Sequence, residues 1–401
     1  MTPGARVQAA IECLDDIFAG TPAEKTLTGW ARRSRFAGSK DRAAVRDYVY
    51  DALRNRDSCA EIGGALNGRA VMLGLVQLQG GDPNEVFHGE GHAPDALSAE
   101  EIARLAKMDT AALQSCLDSV PDMPDVYWHM LQASHPEKAR AIAQALRARA
   151  PVDLRVNLQK SSLTSAQAHL LDEGITSETS DIASTALRVT GTARGIKNAG
   201  AYLDGLIELQ DAGSQALIEW LPLADGMEIL DYCAGGGGKS LAIAGLSKSK
   251  LFAHDQDAAR MKDIPVRAKR AGASITCLST ATISQHAPFD IVLCDAPCSG
   301  SGAWRRSPDA KWRLDPIQFQ NLLSVQLDIL SQAQNYVRPG GYLAYATCSL
   351  FAEENEQQVK RFLETAPNFK RIAQKSWTPL DGCDGFHICV LQLAGEQNNL
   401  E

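Results

Sequence analysis

The spacing of apolar positions divides the chain into regions of different texture. From the N-terminus to about residue 130 the apolar residues recur every three or four places. In 6–19 they are Val7, Ala10, Ile11, Leu14, Ile17 and Phe18, and in 41–53 they are Ala44, Val45, Tyr48, Val49 and Leu53. Both sets line one face of a helix. Residues 71–79 are mostly apolar and too short to show a period. The stretch 80–94, GGDPNEVFHGEGHAP, is rich in breakers and reads as a loop. Ser98 followed by Glu101 is a capping-box pattern and opens another helix.

An Ala- and Arg-rich helix over 137–150 ends at Pro151, and the pattern shifts. DLRVNLQ reads as a strand, 165–173 as a helix and 186–190 as a strand, together a small α/β unit. From residue 226 strands and helices alternate. Strands are predicted at 227–232, 250–254, 274–278, 290–294 and 342–346, with a helix over 316–337 before the last. The run 289–294 is apolar without alternation, as in a strand buried on both faces. Such alternation predicts an α/β fold with a doubly wound, Rossmann-like and mostly parallel sheet. The expected domains are a helical 1–135, a small α/β 136–205 and a Rossmann-like 206–401. No internal repeat is visible.

Composition changes this picture little. With 401 residues, 45% hydrophobic and 22% charged, the chain can build two or three full cores. The opening residues lack a signal-peptide core and no run is long and apolar enough to span a bilayer, so a cytoplasmic location is expected. The ten cysteines include no C-x-x-C, and Cys294 and Cys298 lack a second pair, so no metal is expected. A net charge of −8 argues against indiscriminate nucleic-acid binding. It leaves room for a local basic patch, and Arg32, Arg33, Arg35, Lys40, Arg42, Arg46 and Arg54 gather with Trp30, Phe36 and Tyr48. That cluster is either a solvated helix face or an RNA phosphate surface.

The candidate chemistry lies at strand ends. Asp231-Tyr-Cys-Ala-Gly-Gly-Gly-Gly-Lys-Ser240 follows the first strand of the alternating region and opens a helix, so that Cys233, Ala234, Gly235, Gly236, Gly237, Gly238 and Lys239 form a ligand loop at a helix N-terminus. It is not a P-loop, because Cys233 stands where that motif has glycine. It does not serve as the G-x-G-x-x-G dinucleotide motif either. Asp255 ends the second strand, where an acid can bind ribose hydroxyls. A glycine loop with a second-strand acid and no obligatory pyrophosphate fits S-adenosylmethionine. Asp295 and Cys298 in DAPCSG and Cys348 in ATCS then bring an acid and two thiols to the ends of two further strands.

These pieces resemble a known family. D-x-C-A followed by G-K-S, D-A-P-C-S-G-x-G, Pro-Asp-x-Lys-Trp at 308–312, A-T-C-S at 346–349 and E-E-N at 353–355 are similar to motifs of the RNA (cytosine-5) methyltransferases of the Fmu/Sun type. LRVNLQK, LIELQDAGSQ and DGFHICVLQL also match that pattern, so the resemblance covers about 150–401. The N-terminal part is only loosely similar to a NusB-like RNA-binding domain. The resemblance implies an S-adenosylmethionine-dependent methyltransferase domain, with Cys348 attacking cytosine C6 and Cys298 assisting release. Asp295 would hold the flipped base, and Lys239 would hold this acid and the end of the cofactor. Cytosine C5 is a poor nucleophile until C6 is attacked, and a thiolate suits that attack. Arg305, Arg306, Lys311 and Trp312 follow the Pro-Cys turn and suit phosphate contact and base stacking, or else a surface loop with capping roles.

Two departures stand out. The family's Ala-Ala-Pro-Gly-Gly-Lys is here Ala-Gly-Gly-Gly-Gly-Lys, and its third-strand acid, which contacts the adenine amino group, is replaced by Ser279 or Thr280, with weaker cofactor affinity expected. The expected partner is ribosomal RNA, the 16S molecule foremost, bound by a monomer without membrane or metal. A transfer RNA enzyme and an inactive RNA-binding assembly factor of the same fold are the rival readings.

Overall fold

In the computed structural model, which describes residues 1–395, the chain forms two compact units. The first comprises Met1–Arg149 together with Trp304–Leu314. Its core is built by the helices Pro3–Phe18, Ser39–Arg54, Arg56–Gly63 and Gly68–Leu78. Helix Gly68–Leu78 buries Val71, Met72, Leu73 and Leu75 on every side, which is why its sequence shows no period. Gly74 lets it cross the preceding helix, since a Cβ there would stand 2.1 Å from the Cys59 carbonyl oxygen. The capping box forms as its spacing predicts: Ser98 N–H donates to Glu101 at 2.8 Å and Glu101 N–H donates to Ser98 Oγ at 3.2 Å.

The segment Trp304–Leu314 is an element of this helical unit, although sequence places it just after the Pro-Cys turn. Trp304 is buried and meets Tyr127 edge-on at 5.7 Å. The Arg54 guanidinium donates to the Arg305 carbonyl at 2.7 Å, and Lys311 Nζ donates to the Arg54 carbonyl at 3.0 Å. Trp312 Nε1 donates to the Leu53 carbonyl at 2.9 Å, and the Arg56 guanidinium covers its ring at 3.4 Å. These contacts correct the expectation of an RNA-contacting loop. Arg305 and Lys311 are buried and the Trp312 ring already has its cation, so only Arg306 of the four is exposed. Arg54 likewise leaves the basic patch for the interior, as does Trp30.

The second unit comprises Ala150–Ala303 and the chain from Asp315 onward. It contains a small antiparallel sheet of order β2-β3-β1-β4, with β1 Asp153–Val156, β2 Ser177–Thr179, β3 Ala186–Val189 and β4 Ile207–Leu209. Helix Leu163–Asp172, capped by Ser162, accompanies it. This small sheet begins at 153 and ends at 209, because helix Ala139–Arg147 groups with the helical unit and β4 closes the sheet. The large sheet has the order β10-β11-β9-β8-β5-β6-β7. Its strands are β5 Glu228–Asp231, β6 Lys250–His254, β7 Ile275–Leu278, β8 Phe289–Asp295, β9 Val337–Thr347, β10 Phe369–Trp377 and β11 Phe386–Leu393. The five strands from β5 to β9 are parallel, as the alternation predicts, and β11 and β10 add antiparallel strands at one side. Residues Phe289 to Cys294 of β8 are buried without a break.

Glu208 at the end of the small sheet pairs with Arg270 at 2.6 Å and Arg267 at 3.4 Å, which joins it to helix Ile264–Ala271 of the Rossmann-like layer. Among the described residues no helix is long and apolar enough to cross a membrane.

Candidate active site

The carboxyl ends of β5, β8 and β9 meet at one cavity of about 410 Å³. Its lining includes Cys233, Ala234, Gly235, Gly236, Gly238 and Lys239 from the glycine loop, Asp295 and Cys298 after β8, and Cys348 after β9. Gln210, Ser214 and Arg260, which the sequence did not single out, line it as well. A roomier cleft of about 900 Å³ lies in the helical unit beside Arg33, Phe36 and His92, but it holds no thiol pair.

Local geometry explains the glycines. Gly235 and Gly237 have φ of +50° and +78°, a region that side-chain-bearing residues enter at a cost. Gly235 N–H donates to Asp255 Oδ2 at 2.9 Å, so the acid after β6 anchors the loop. Arg260 adds an ion pair to Asp255 at 3.1 Å, and Asp255 Oδ1 accepts the Asp257 N–H at 3.0 Å. The loop then enters helix Gly238–Leu246, whose first N–H groups have no partner within the helix and whose first residues line the cavity. Gly237 admits no side chain, because a Cβ would also stand 2.9 Å from Ile264 Cγ1. Gly237→Ala is expected to cost roughly 2 kcal/mol from backbone strain and contact together. Thermal unfolding should show that loss, and cofactor titration should show weakened binding.

Lys239 and Asp295 form an ion pair at 2.5 Å. Burial draws the Lys239 ammonium down, but Asp295 more than offsets this, with smaller help from Cys348 and Asp231, and the group ends above its ordinary value. Lys239 is therefore a permanent cation at the mouth of β8. Behind it, burial pushes the Asp231 carboxyl up to about 6, against the hydrogen bond from Ser240 at 2.6 Å.

The two thiols are brought together by strand register. Asp295 of β8 lies opposite Ala346 of β9, so the turns that follow run side by side. Cys298 Sγ and Cys348 Sγ stand 3.5 Å apart. The hydrogen bond to Cys348, and then burial, drive the Cys298 thiol well above its usual range. Cys298 thus keeps its proton in the pair. Cys294 is also pushed up, by burial within the sheet, and is part of the core.

A carboxylate absent from the candidate residues holds the turns in place. Glu354 is fully buried and accepts from Ser299 N–H at 2.8 Å, Ser299 Oγ at 2.5 Å and Gln326 Nε2 at 3.0 Å. It also accepts from Ser349 Oγ. Ser299 follows Cys298 and Ser349 follows Cys348, so one side chain pins both thiol turns. Asn355 adds a bond to the Ser349 carbonyl at 3.0 Å and accepts from Thr347 Oγ1 at 2.6 Å. The E-E-N motif was the available signal, but motif spacing alone does not say which acid turns inward. Glu354→Gln replaces one acceptor oxygen by a donor and leaves buried donors facing it, at a cost on the order of 3 kcal/mol. A lowered unfolding midpoint and slower methyl transfer, with cofactor affinity kept, are the expected readings.

The cavity fits S-adenosylmethionine through a glycine cradle at a helix N-terminus and a polar mouth with Lys239 and Asp295, while Asp255 holds the cradle from outside the lining. Fold and site together define an S-adenosylmethionine-dependent methyltransferase with a Rossmann-like catalytic domain. The profile of the 16S rRNA methyltransferase RsmB/F family matches residues 218–390, and that of the RsmF/B-like ferredoxin-like domain matches 123–194. The ribosomal RNA small subunit methyltransferase B of Vibrio cholerae is 33% identical over 395 residues, which cover 88% of this chain and 89% of the relative. The enzyme of the same name from Vibrio vulnificus is 30% identical over 88% of this chain and 91% of its own length. Among solved structures, a methyltransferase homolog protein from Pyrococcus horikoshii superposes with a TM-score of 0.60 at 22% identity, over 71% of this chain and 100% of that one. NSun6 from the same organism, solved with SFG, gives 0.60 at 17% identity, over 68% and 99%. The chain belongs to the 16S rRNA methyltransferase RsmB/F family.

Proposed function

We propose that this enzyme methylates C5 of a cytosine in 16S ribosomal RNA through a covalent adduct between Cys348 and C6 of the base. The supporting observation is the pair of sulfurs 3.5 Å apart beside the Lys239–Asp295 ion pair. Cys298 is held as a thiol, and Cys348 lies within reach of the Lys239 cation. Cys348 Sγ attacks C6, and the ring electrons move toward C5 while Asp295 hydrogen-bonds the N3/N4 edge. Bound S-adenosylmethionine supplies the electrophilic methyl group. In the last step a water at the open mouth of the cavity takes the C5 proton, the C5–C6 double bond re-forms and Cys348 leaves as thiolate, which the Cys298 thiol stabilises by donating a hydrogen bond. Lys239 keeps Asp295 oriented throughout. The glycine loop 233–239 cradles the cofactor, and Asp255 and Thr280, after β6 and β7, are the groups for its ribose and its adenine.

Ribosomal RNA is preferred over transfer RNA because relatives similar over almost the whole chain carry that name. RNA contacts in the helical unit fall to exposed Arg32, Arg33, Arg35, Lys40 and Arg42 beside exposed Phe36, in place of the buried 305–312 segment. The test is transfer of labelled methyl from S-adenosylmethionine to unmodified 16S ribosomal and transfer RNA, followed by digestion to nucleosides. Label in 5-methylcytidine from 16S RNA is expected. Label in another nucleoside would overturn the C5 assignment, and label only in transfer RNA would overturn the substrate. Cofactor binding with no label on any RNA would turn the reading to an inactive binder.

A further inference from the structure

Where the family resemblance implies an acid after the third strand of the sheet, this chain has two hydroxyls, and their surroundings differ. Ser279 caps the short helix Thr280–Gln285, with its Oγ 3.2 Å from Thr282 Oγ1. Thr280 is exposed at the carboxyl end of β7, and its Oγ1 lies 2.9 Å from His254 Nε2. His254 ends β6, is 1% exposed, and has its Nδ1 2.8 Å from the Tyr232 carbonyl oxygen. A carbonyl oxygen can only accept, so a ring hydrogen sits on Nδ1 and Nε2 is left to accept from Thr280. The hydrogen in the His254–Thr280 bond therefore comes from the Thr280 hydroxyl. The ring cannot readily turn, being packed against Tyr232 at 4.7 Å between centroids, while the Tyr232 hydroxyl bonds Gln332 at 3.1 Å.

We infer that His254 is a specificity-positioning residue for the cofactor: by taking the Thr280 hydroxyl hydrogen it leaves Thr280 Oγ1 as a pure acceptor, which recognises the adenine amino group as a carboxylate would. This rests on the placement of the adenine at Thr280. Three neighbouring strand ends support that placement: the glycine loop follows β5, Asp255 follows β6 and Thr280 follows β7, so a nucleoside laid outward from the loop passes them in order. A hydroxyl free to rotate could donate to a 6-oxo purine as well as accept from a 6-amino one. One whose hydrogen is taken rejects the oxo base.

The experiment measures dissociation constants of S-adenosylhomocysteine and its 6-oxo analogue, S-inosylhomocysteine, on the full chain by calorimetry. Wild type should prefer the amino ligand by about tenfold or more, the worth of one correctly matched hydrogen bond. Thr280→Val should lose most of that preference by weakening the amino ligand. His254→Phe, which keeps a flat ring against Tyr232, should lose it by strengthening the oxo ligand. Thr280→Asp, whose carboxylate accepts unaided, should restore the preference in the His254→Phe background, so that a folding defect is told from a specificity effect. If Thr280→Val lowers the preference and His254→Phe leaves it intact, the role of His254 is overturned. If neither variant changes either constant, the adenine does not lie at Thr280 and the placement itself fails.

Discussion

Cys348→Ala is expected to abolish methyl transfer to RNA while leaving the dissociation constant of S-adenosylmethionine unchanged. Removing an attacking nucleophile costs on the order of 10⁴–10⁶-fold in rate. Cys348 lines the mouth of the cavity, whereas the glycine loop and Asp255 that bear on the cofactor are untouched by this change. Cys298→Ala should behave differently. The attack and methyl transfer proceed, release is slowed, and a covalent protein–RNA complex accumulates that survives denaturing electrophoresis. The assignment follows the family resemblance and the state of Cys298. The hydrogen bond to Cys348 and burial keep Cys298 protonated, and a protonated thiol is a poor nucleophile but can donate a hydrogen bond to the departing Cys348 sulfur. An adduct in Cys348→Ala and none in Cys298→Ala would mean that the two thiols have exchanged roles.

The second large effect lies in the helical unit and concerns stability. Lys311 is 2% exposed, and burial lowers its ammonium from 10.5 to about 7, with Asp122 and Asp57 opposing the shift and Arg56 and Arg147 adding to it. Between about pH 7 and 10.5 the unfolded chain holds a proton on this lysine that the folded chain lacks. Stability therefore rises with pH through that window and is lowest below pH 7, where the buried group is charged in the folded state. The full displacement corresponds to roughly 5 kcal/mol. Lys311→Met keeps the length of the side chain and removes the charge. It should raise the unfolding midpoint at pH 6 relative to wild type, and the advantage should shrink toward pH 9 as wild-type Lys311 deprotonates. It also loses the bond from Nζ to the Arg54 carbonyl, worth about 1 kcal/mol, so at high pH the variant should be slightly the weaker of the two. Midpoints that stay parallel from pH 6 to 9 would mean that Lys311 is charged throughout, paired with Asp57 and Asp122.

The site and the stability switch differ in how they could be read from the chain. Continuous apolar runs and glycine-marked turns are local signals, because strand and helix periods follow from backbone geometry. They were enough to place the five parallel strands, the glycine loop and the two cysteine turns. Strand alternation with an acid or a thiol after each of β6, β8 and β9 also places these groups on one edge of the sheet, since parallel strands present their carboxyl ends together.

What the amino-acid order determined alone was thus the sheet, its ligand edge and the chemical types gathered there. The tertiary structure decided which charges face water and which groups meet. Pro-Asp-Ala-Lys-Trp has the composition of a surface loop, yet Lys311 is buried where the Arg54 carbonyl and the distant acids Asp57 and Asp122 face it. Glu353 and Glu354 are adjacent and alike in sequence. Only the convergence of Ser299, Ser349 and Gln326 makes Glu354 the pin of the thiol turns. His254 and Thr280 come together because β6 and β7 are neighbours, and the direction of their hydrogen bond is set by a third residue, Tyr232. Periodicity is a property of adjacent residues, whereas desolvation and hydrogen-bond direction depend on groups brought together from far apart along the chain.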